Sequence, residues 1–152
     1  MRALRIDKFT ATALESVLLD YLSEEKAVKE IPVLQMITKT QEDVKKDARF
    51  LMRVLKQMDL PLEIHLTECE SQIGGGSLPL ERIPSAGLSI RPLEITTEMM
   101  EERLRSLPTP VIPRVVNGEI LMDVRTMDRN DFRRMAEEWK EYGICSEGEY
   151  RS

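Results

Sequence analysis

Val111-Ile112-Pro113-Arg114-Val115-Val116-Asn117-Gly118-Glu119-Ile120-Leu121-Met122-Asp123-Val124 decides the fold class. Two apolar-rich runs flank Asn117-Gly118, a dipeptide that accepts positive φ at both centres of a type I′ turn. The stretch is therefore predicted as a β-hairpin. In that register Val116 pairs with Glu119 and Arg114 with Leu121, and the nitrogen of Pro113 points away from its partner Met122. A proline there requires an edge or a bulge on its other side. Arg114, Asp123 and Arg125 are expected to form an ion-pair ladder across the hairpin.

Working outward, Thr96-Thr97-Glu98 opens a helix through Leu104, which Leu107-Pro108-Thr109-Pro110 stops. Beyond the hairpin, a last helix begins near Asn130 or Asp131 and places Phe132, Met135, Ala136 and Trp139 on one face. Residues 143–152 then read as a polar tail. Upstream, Leu62-Glu63-Ile64-His65-Leu66 and Ala86-Gly87-Leu88-Ser89-Ile90 alternate as two further half-buried strands. Between them lies Glu70-Ser71-Gln72-Ile73-Gly74-Gly75-Gly76-Ser77-Leu78-Pro79, closed by Ile83-Pro84-Ser85-Ala86. Consecutive glycines favour neither helix nor ladder. A long loop is expected there, roughly three times the two to five residues of a tight hairpin. Such a loop either crosses between strands or brings backbone N–H groups up to an anion or a partner. Neither G-x-G-x-x-G nor the P-loop pattern occurs in it.

Nearer the N-terminus, Thr10 can cap a helix with Leu14, Val17, Leu18, Tyr21 and Leu22 at i, i+3, i+4, i+7, i+8. Ser23 to Glu30 is charged and breaks the pattern. Pro32 suits the first turn of a short helix through Leu34, Met36 and Ile37. Thr40, with Asp43 three residues on, starts a helix striped by Val44, Ala48, Leu51, Met52 and Leu55. Strands that include a hairpin, alternating with helices, give an α+β fold: a largely antiparallel four-stranded sheet with helices on one face. Residues 1–142 are read as one domain, with 1–9 as a connecting segment.

The 152 residues can bury a core without staples. Apolar residues at 41% and charged residues at 32% fit an ordinary soluble protein. No run approaches a membrane span, and the charged opening is no signal peptide, so a cytoplasmic location is expected. Cys69 and Cys145, without a Cys-x-x-Cys, read as two reduced thiols and argue against a metal site. The net charge of −5 gives no global attraction for nucleic acid. His65, the only histidine, sits on the polar side of a strand, which nearly excludes a His-dependent hydrolase. Met36, Met52, Met58, Met99, Met100, Met122 and Met135 fall on expected core faces, where Met fills gaps.

Several segments, in order, resemble the C-terminal part of the bacterial selenocysteine synthases, the L-seryl-tRNA(Sec) selenium transferases. They are Met1-Arg2-Ala3-Leu4-Arg5-Ile6-Asp7-Lys8-Phe9-Thr10, Ile31-Pro32-Val33-Leu34-Gln35-Met36, the Glu70–Pro79 stretch, Pro84-Ser85-Ala86, and Pro110-Val111-Ile112-Pro113-Arg114 through Leu121-Met122-Asp123-Val124-Arg125. The resemblance runs to about Trp139. Pro113 stands where the family usually has Gly. It implies a pyridoxal-phosphate enzyme of aminotransferase-like fold that replaces the hydroxyl of seryl-tRNA(Sec) with selenium from selenophosphate. It also implies a homo-oligomer. The family's Schiff-base lysine and large cofactor domain match nothing here, and Lys8 matches a later position. The resemblance therefore implies a fragment with no catalytic residue of its own, inactive alone. The matched Arg2 and Arg5, at i and i+3, belong to the family's substrate site; the residues alone fit either an anion clamp or a solvated basic end. Gly74, Gly75, Gly76 and Ser77 are the second candidate, an active-site loop. Two readings compete: a non-catalytic module binding RNA or protein, and the small domain of a related enzyme for a small phosphorylated amino acid.

Overall fold

A computed structural model describes residues 6–73 and 78–148. The chain forms two compact units, residues 1–39 and 40–152.

The first unit holds α1 (Lys8–Asp20), α2 (Glu24–Glu30) and α3 (Pro32–Thr38). Asp7, not Thr10, caps α1. Its Oδ1 accepts the backbone N–H of Thr10 at 3.0 Å and its Oδ2 accepts the Thr10 hydroxyl at 2.7 Å. A carboxylate offers two acceptors where a hydroxyl offers one, so the helix starts a turn earlier than expected. These bonds hold the Asp7 carboxyl below its ordinary range. The charged run after Ser23 is itself helical: Ser23 caps α2, Glu24 and Glu25 fill its first turn, and Lys29 lies in its last, each suited to the helix dipole. Pro32 opens α3 as expected.

The second unit begins with α4 (Gln41–Gln57), where Thr40 accepts the Asp43 N–H at 3.2 Å. Val44, Ala48, Leu51, Val54 and Leu55 are its buried stripe. Then come β1 (Leu62–Ile73), β2 (Leu78–Pro92), α5 (Thr97–Ser106), β3 (Arg114–Val116), β4 (Glu119–Asp123), two 3₁₀ turns (Val124–Thr126 and Arg129–Asp131) and α6 (Phe132–Glu141). The sheet is antiparallel in order β1-β2-β4-β3. The α+β expectation holds. Asn117 and Gly118 take φ of 53° and 79°, and Val116 pairs with Glu119, Val115 with Ile120 and Arg114 with Leu121. Pro113 precedes the edge strand β3, so its missing donor costs no ladder bond.

Alternation sends Ile64, Ala86, Leu88, Ile90, Ile120 and Met122 into one core with α4, α5 and α6. Of the expected methionines Met100, Met122 and Met135 are buried, but Met99 is exposed, one step off the α5 face that Met100 and Leu104 bury. Past Trp139 the chain is also tied down. Ile144 and Cys145 are buried, and the Arg103 guanidinium donates to the carbonyls of Gly143 and Ser146 at 3.2 and 2.9 Å.

The connection between the first two strands is corrected. Glu70–Ile73 and Leu78–Ile83 continue the strands, and only residues 74–77 separate them. The pairing shifts at Gln72/Ile73, where the ladder carries an irregularity. Pro84 is tolerated in β2 because β4 pairs only with Gly87–Ile90, which leaves one side of β2 without a neighbouring strand at Pro84.

Candidate functional site

Gly87 pairs with Asp123, and this is where β4 ends beside β2. A Cβ on Gly87 would lie 2.2 Å from the carbonyl oxygen of Met122, so only glycine lets the two backbones approach this closely. Past this rung side chains take over from the missing strand. The Ser85 hydroxyl donates to Asp123 Oδ1 at 2.7 Å, and the Ser71 hydroxyl donates to Oδ2. The backbone N–H of Arg125 also donates to Oδ1, at 3.2 Å, and the Arg114 guanidinium lies 3.6 Å from Oδ2. Ser71, Ser85 and Arg125 are all buried.

Two arginines then grip one rung of the hairpin. Glu70 and Pro84 are register partners. The Arg114 guanidinium donates to the Glu70 carbonyl from both terminal nitrogens at 3.2 Å, and Arg125 donates to the Pro84 carbonyl at 2.8 Å. The expected ladder is thus half right. Arg114 does meet Asp123, but Arg125 lies past the strand in a 3₁₀ turn, and its side chain is spent on a carbonyl. Burial pulls the Arg125 guanidinium below its usual range, against the nearby Asp123 charge.

This polar node walls a cleft of about 530 Å³ formed by Thr109–Arg114, the end of β4, the 3₁₀ turns and the start of α6. Val111, Pro113, Leu121, Met122, Met127 and Met135 give it an apolar lining, while Arg114, Asp123, Asp128, Asp131 and Arg134 supply charge. Arg134 is held 2.9 Å from Asp131. The arrangement can hold a ligand of mixed character, but the described residues provide no activated nucleophile. Burial and then Asp123 raise the Cys69 thiol, and the exposed His65 lies 3.1 Å from Glu63. Among the described residues no group of three or more His, Cys, Asp or Glu could hold a metal. No helix among them is long and apolar enough to cross a membrane.

Nor do the described residues form a covalent pyridoxal-phosphate site. None of their lysines is buried or lines the cleft; Lys8 is exposed at the start of α1, and the Lys45 ammonium lies 2.7 Å from Glu68. Arg2, Arg5, Gly74, Gly75, Gly76 and Ser77, the sequence-derived candidates, all lie outside the described residues. The node itself was not read from sequence. Its one trace there is that Ser71, Ser85, Arg114, Asp123 and Arg125 all fall within the quoted motifs.

Comparison with known proteins gives the class first. The profile of the L-seryl-tRNA selenium transferases (SelA) matches residues 1–128, and the chain belongs to that family. A Clostridium botulinum (strain Hall) protein named L-seryl-tRNA(Sec) selenium transferase is 42% identical over 139 residues, which is 91% of this chain and 30% of that relative. Proteins of the same name from Alkaliphilus metalliredigens and Alkaliphilus oremlandii are 37% and 35% identical, over 86% and 92% of this chain and 28% and 30% of theirs. The chain thus spans about 30% of the length of the curated relatives it matches.

Proposed function

We propose that this chain works as the C-terminal part of a pyridoxal-phosphate-dependent L-seryl-tRNA(Sec) selenium transferase, which forms selenocysteinyl-tRNA(Sec) with selenophosphate as selenium donor. The observation that carries the reading is the family match over residues 1–128 with relatives that bear this name. The enzyme so proposed is cytoplasmic and homo-oligomeric, and its cofactor, held by the part not represented here, supplies the carbanion chemistry. This chain's share is binding. Arg2 and Arg5 clamp the anionic selenium donor or tRNA end, because paired guanidinium forks match phosphate geometry. Residues 74–77 approach the site as a loop at the tip of the β1–β2 hairpin.

The test is a hybrid enzyme in which the aligned segment of the Clostridium botulinum relative is replaced by this chain. It is expected to charge tRNA(Sec) with selenocysteine, while the 152-residue chain alone is expected to give no product. A folded, cofactor-loaded hybrid without selenium transfer overturns the reading.

A further inference from the structure

α1 carries the apolar spacing of a core helix, yet none of its thirteen residues is buried. Leu14, Val17, Leu18, Leu19 and Leu22 are all about half exposed or more, and Phe9 is 89% exposed. By contrast the same spacing in α4 and α6 is fully used, and Phe132, Met135, Ala136 and Trp139 of α6 are all buried. Single exposed apolar residues are ordinary, but so many along one short helix mark a surface that is covered in use. A helix of this length is marginal in water unless it is packed.

The distribution of these side chains tells what covers them. At about 100° per residue, Leu14, Val17, Leu18 and Leu22 share one side, while Phe9 and Leu19 sit about 140° from Leu14 in opposite directions. A helix apolar on so much of its circumference is buried by a body, not by one facing stripe. Pairing with α1 of a second copy would cover one side and leave Phe9 or Leu19 in water. The family match begins at residue 1 and runs through α1, so α1 is an intrinsic part of these transferases. The larger part of each relative lies outside this chain.

We infer that α1 is a docking element whose occupant is the part of the selenium transferase that this chain lacks. The inference rests on the function proposed above and names the partner of this unit.

Hydrogen exchange tests it on the α1 amides, in the 152-residue chain and in the same chain joined to the remainder of the Clostridium botulinum relative. Exchange is expected to be at least tenfold slower in the joined protein, with α4 protected alike in both. Leu18→Asp is expected to abolish the gain in the joined protein, and Leu18→Met to keep it. Equal exchange in the two proteins overturns the inference. So does protection already present in the 152-residue chain, whether it depends on concentration, as for a second copy, or not. Protected α1 in a joined protein that transfers no selenium would sustain the docking and overturn the function. Selenium transfer with α1 unprotected would do the reverse.

Discussion

The Ser85 hydroxyl donates to Asp123 Oδ1 across 2.7 Å, binding the central strand to the end of its neighbour where their ladder stops. Asp123 also accepts from Ser71 and from the Arg125 backbone, so one carboxylate satisfies three donors in a largely dry node.

Replacing it should therefore be costly. Asp123→Ala strands two buried hydroxyls and leaves Arg114 and Arg125 without their nearest countercharge, which predicts a loss of roughly 2–4 kcal/mol. Asp123→Asn keeps part of the bonding and should lose about half as much. Urea unfolding reads both; an Asp123→Ala midpoint like that of the wild type would remove the node from the stability of the fold.

Two glycines should respond differently to the same added methyl. Gly87→Ala drives a Cβ to 2.2 Å from the Met122 carbonyl oxygen, a backbone atom that cannot step aside, and should cost roughly 1–3 kcal/mol or prevent β2–β4 pairing. Gly118→Ala meets nothing within 4 Å and pays only for its φ of +79°, about 1 kcal/mol. Thermal unfolding of the pair should rank them in that order.

Cys145 sets an alkaline limit. Burial pushes its thiol up to about 12 from an ordinary 9.0. The unfolded chain thus releases this proton first, and the stability held below pH 9 falls between 9 and about 12. Relative to Cys145→Ala, the wild type should lose about 1.4 kcal/mol per pH unit in that window. Denaturant titrations of both proteins at pH 8, 9 and 10 check the slope. Alkylation of the folded protein at pH 8 should also reach Cys69, which is half-buried, well before the buried Cys145.

In the joined enzyme, Arg2→Ala and Arg5→Ala should each lower kcat/KM for selenium transfer at least tenfold, as loss of a charge-assisted bond of roughly 1.5–3 kcal/mol implies. Arg→Lys should rescue only partly, since an ammonium lacks the planar fork. Full rescue by Lys, with an effect that fades as salt rises, would mark a solvated patch instead.

Local chemistry was legible wherever it was sufficient. Asn117-Gly118 specified its turn and register, Thr40 with Asp43 specified the start of α4, and the α6 stripe was read residue for residue. The long hairpin was not, because Pro79, Pro84 and the glycines punctuate the sequence as a loop does. Pro84 survives in a strand only because β4 stops at the Gly87–Asp123 rung, a fact of three-strand register. The Ser71–Ser85–Asp123 node depends on the same register, which joins residues 38 and 52 positions apart. Asp7 and Thr10 both read as caps, and the choice fell to the residue with two acceptor oxygens.

The rung that Arg114 and Arg125 grip is also a fulcrum. Beyond it β1 and β2 run as a two-stranded ribbon, a form with little stability of its own, so its direction is set where it is clamped. Ile73 lies three residues past Glu70, a lever of about 10 Å at strand spacing. A tilt of about 10° at the clamp would carry that end through about 2 Å. Substitutions at Arg114 or Arg125 should thus act at a distance, shifting where the hairpin delivers its tip without touching it.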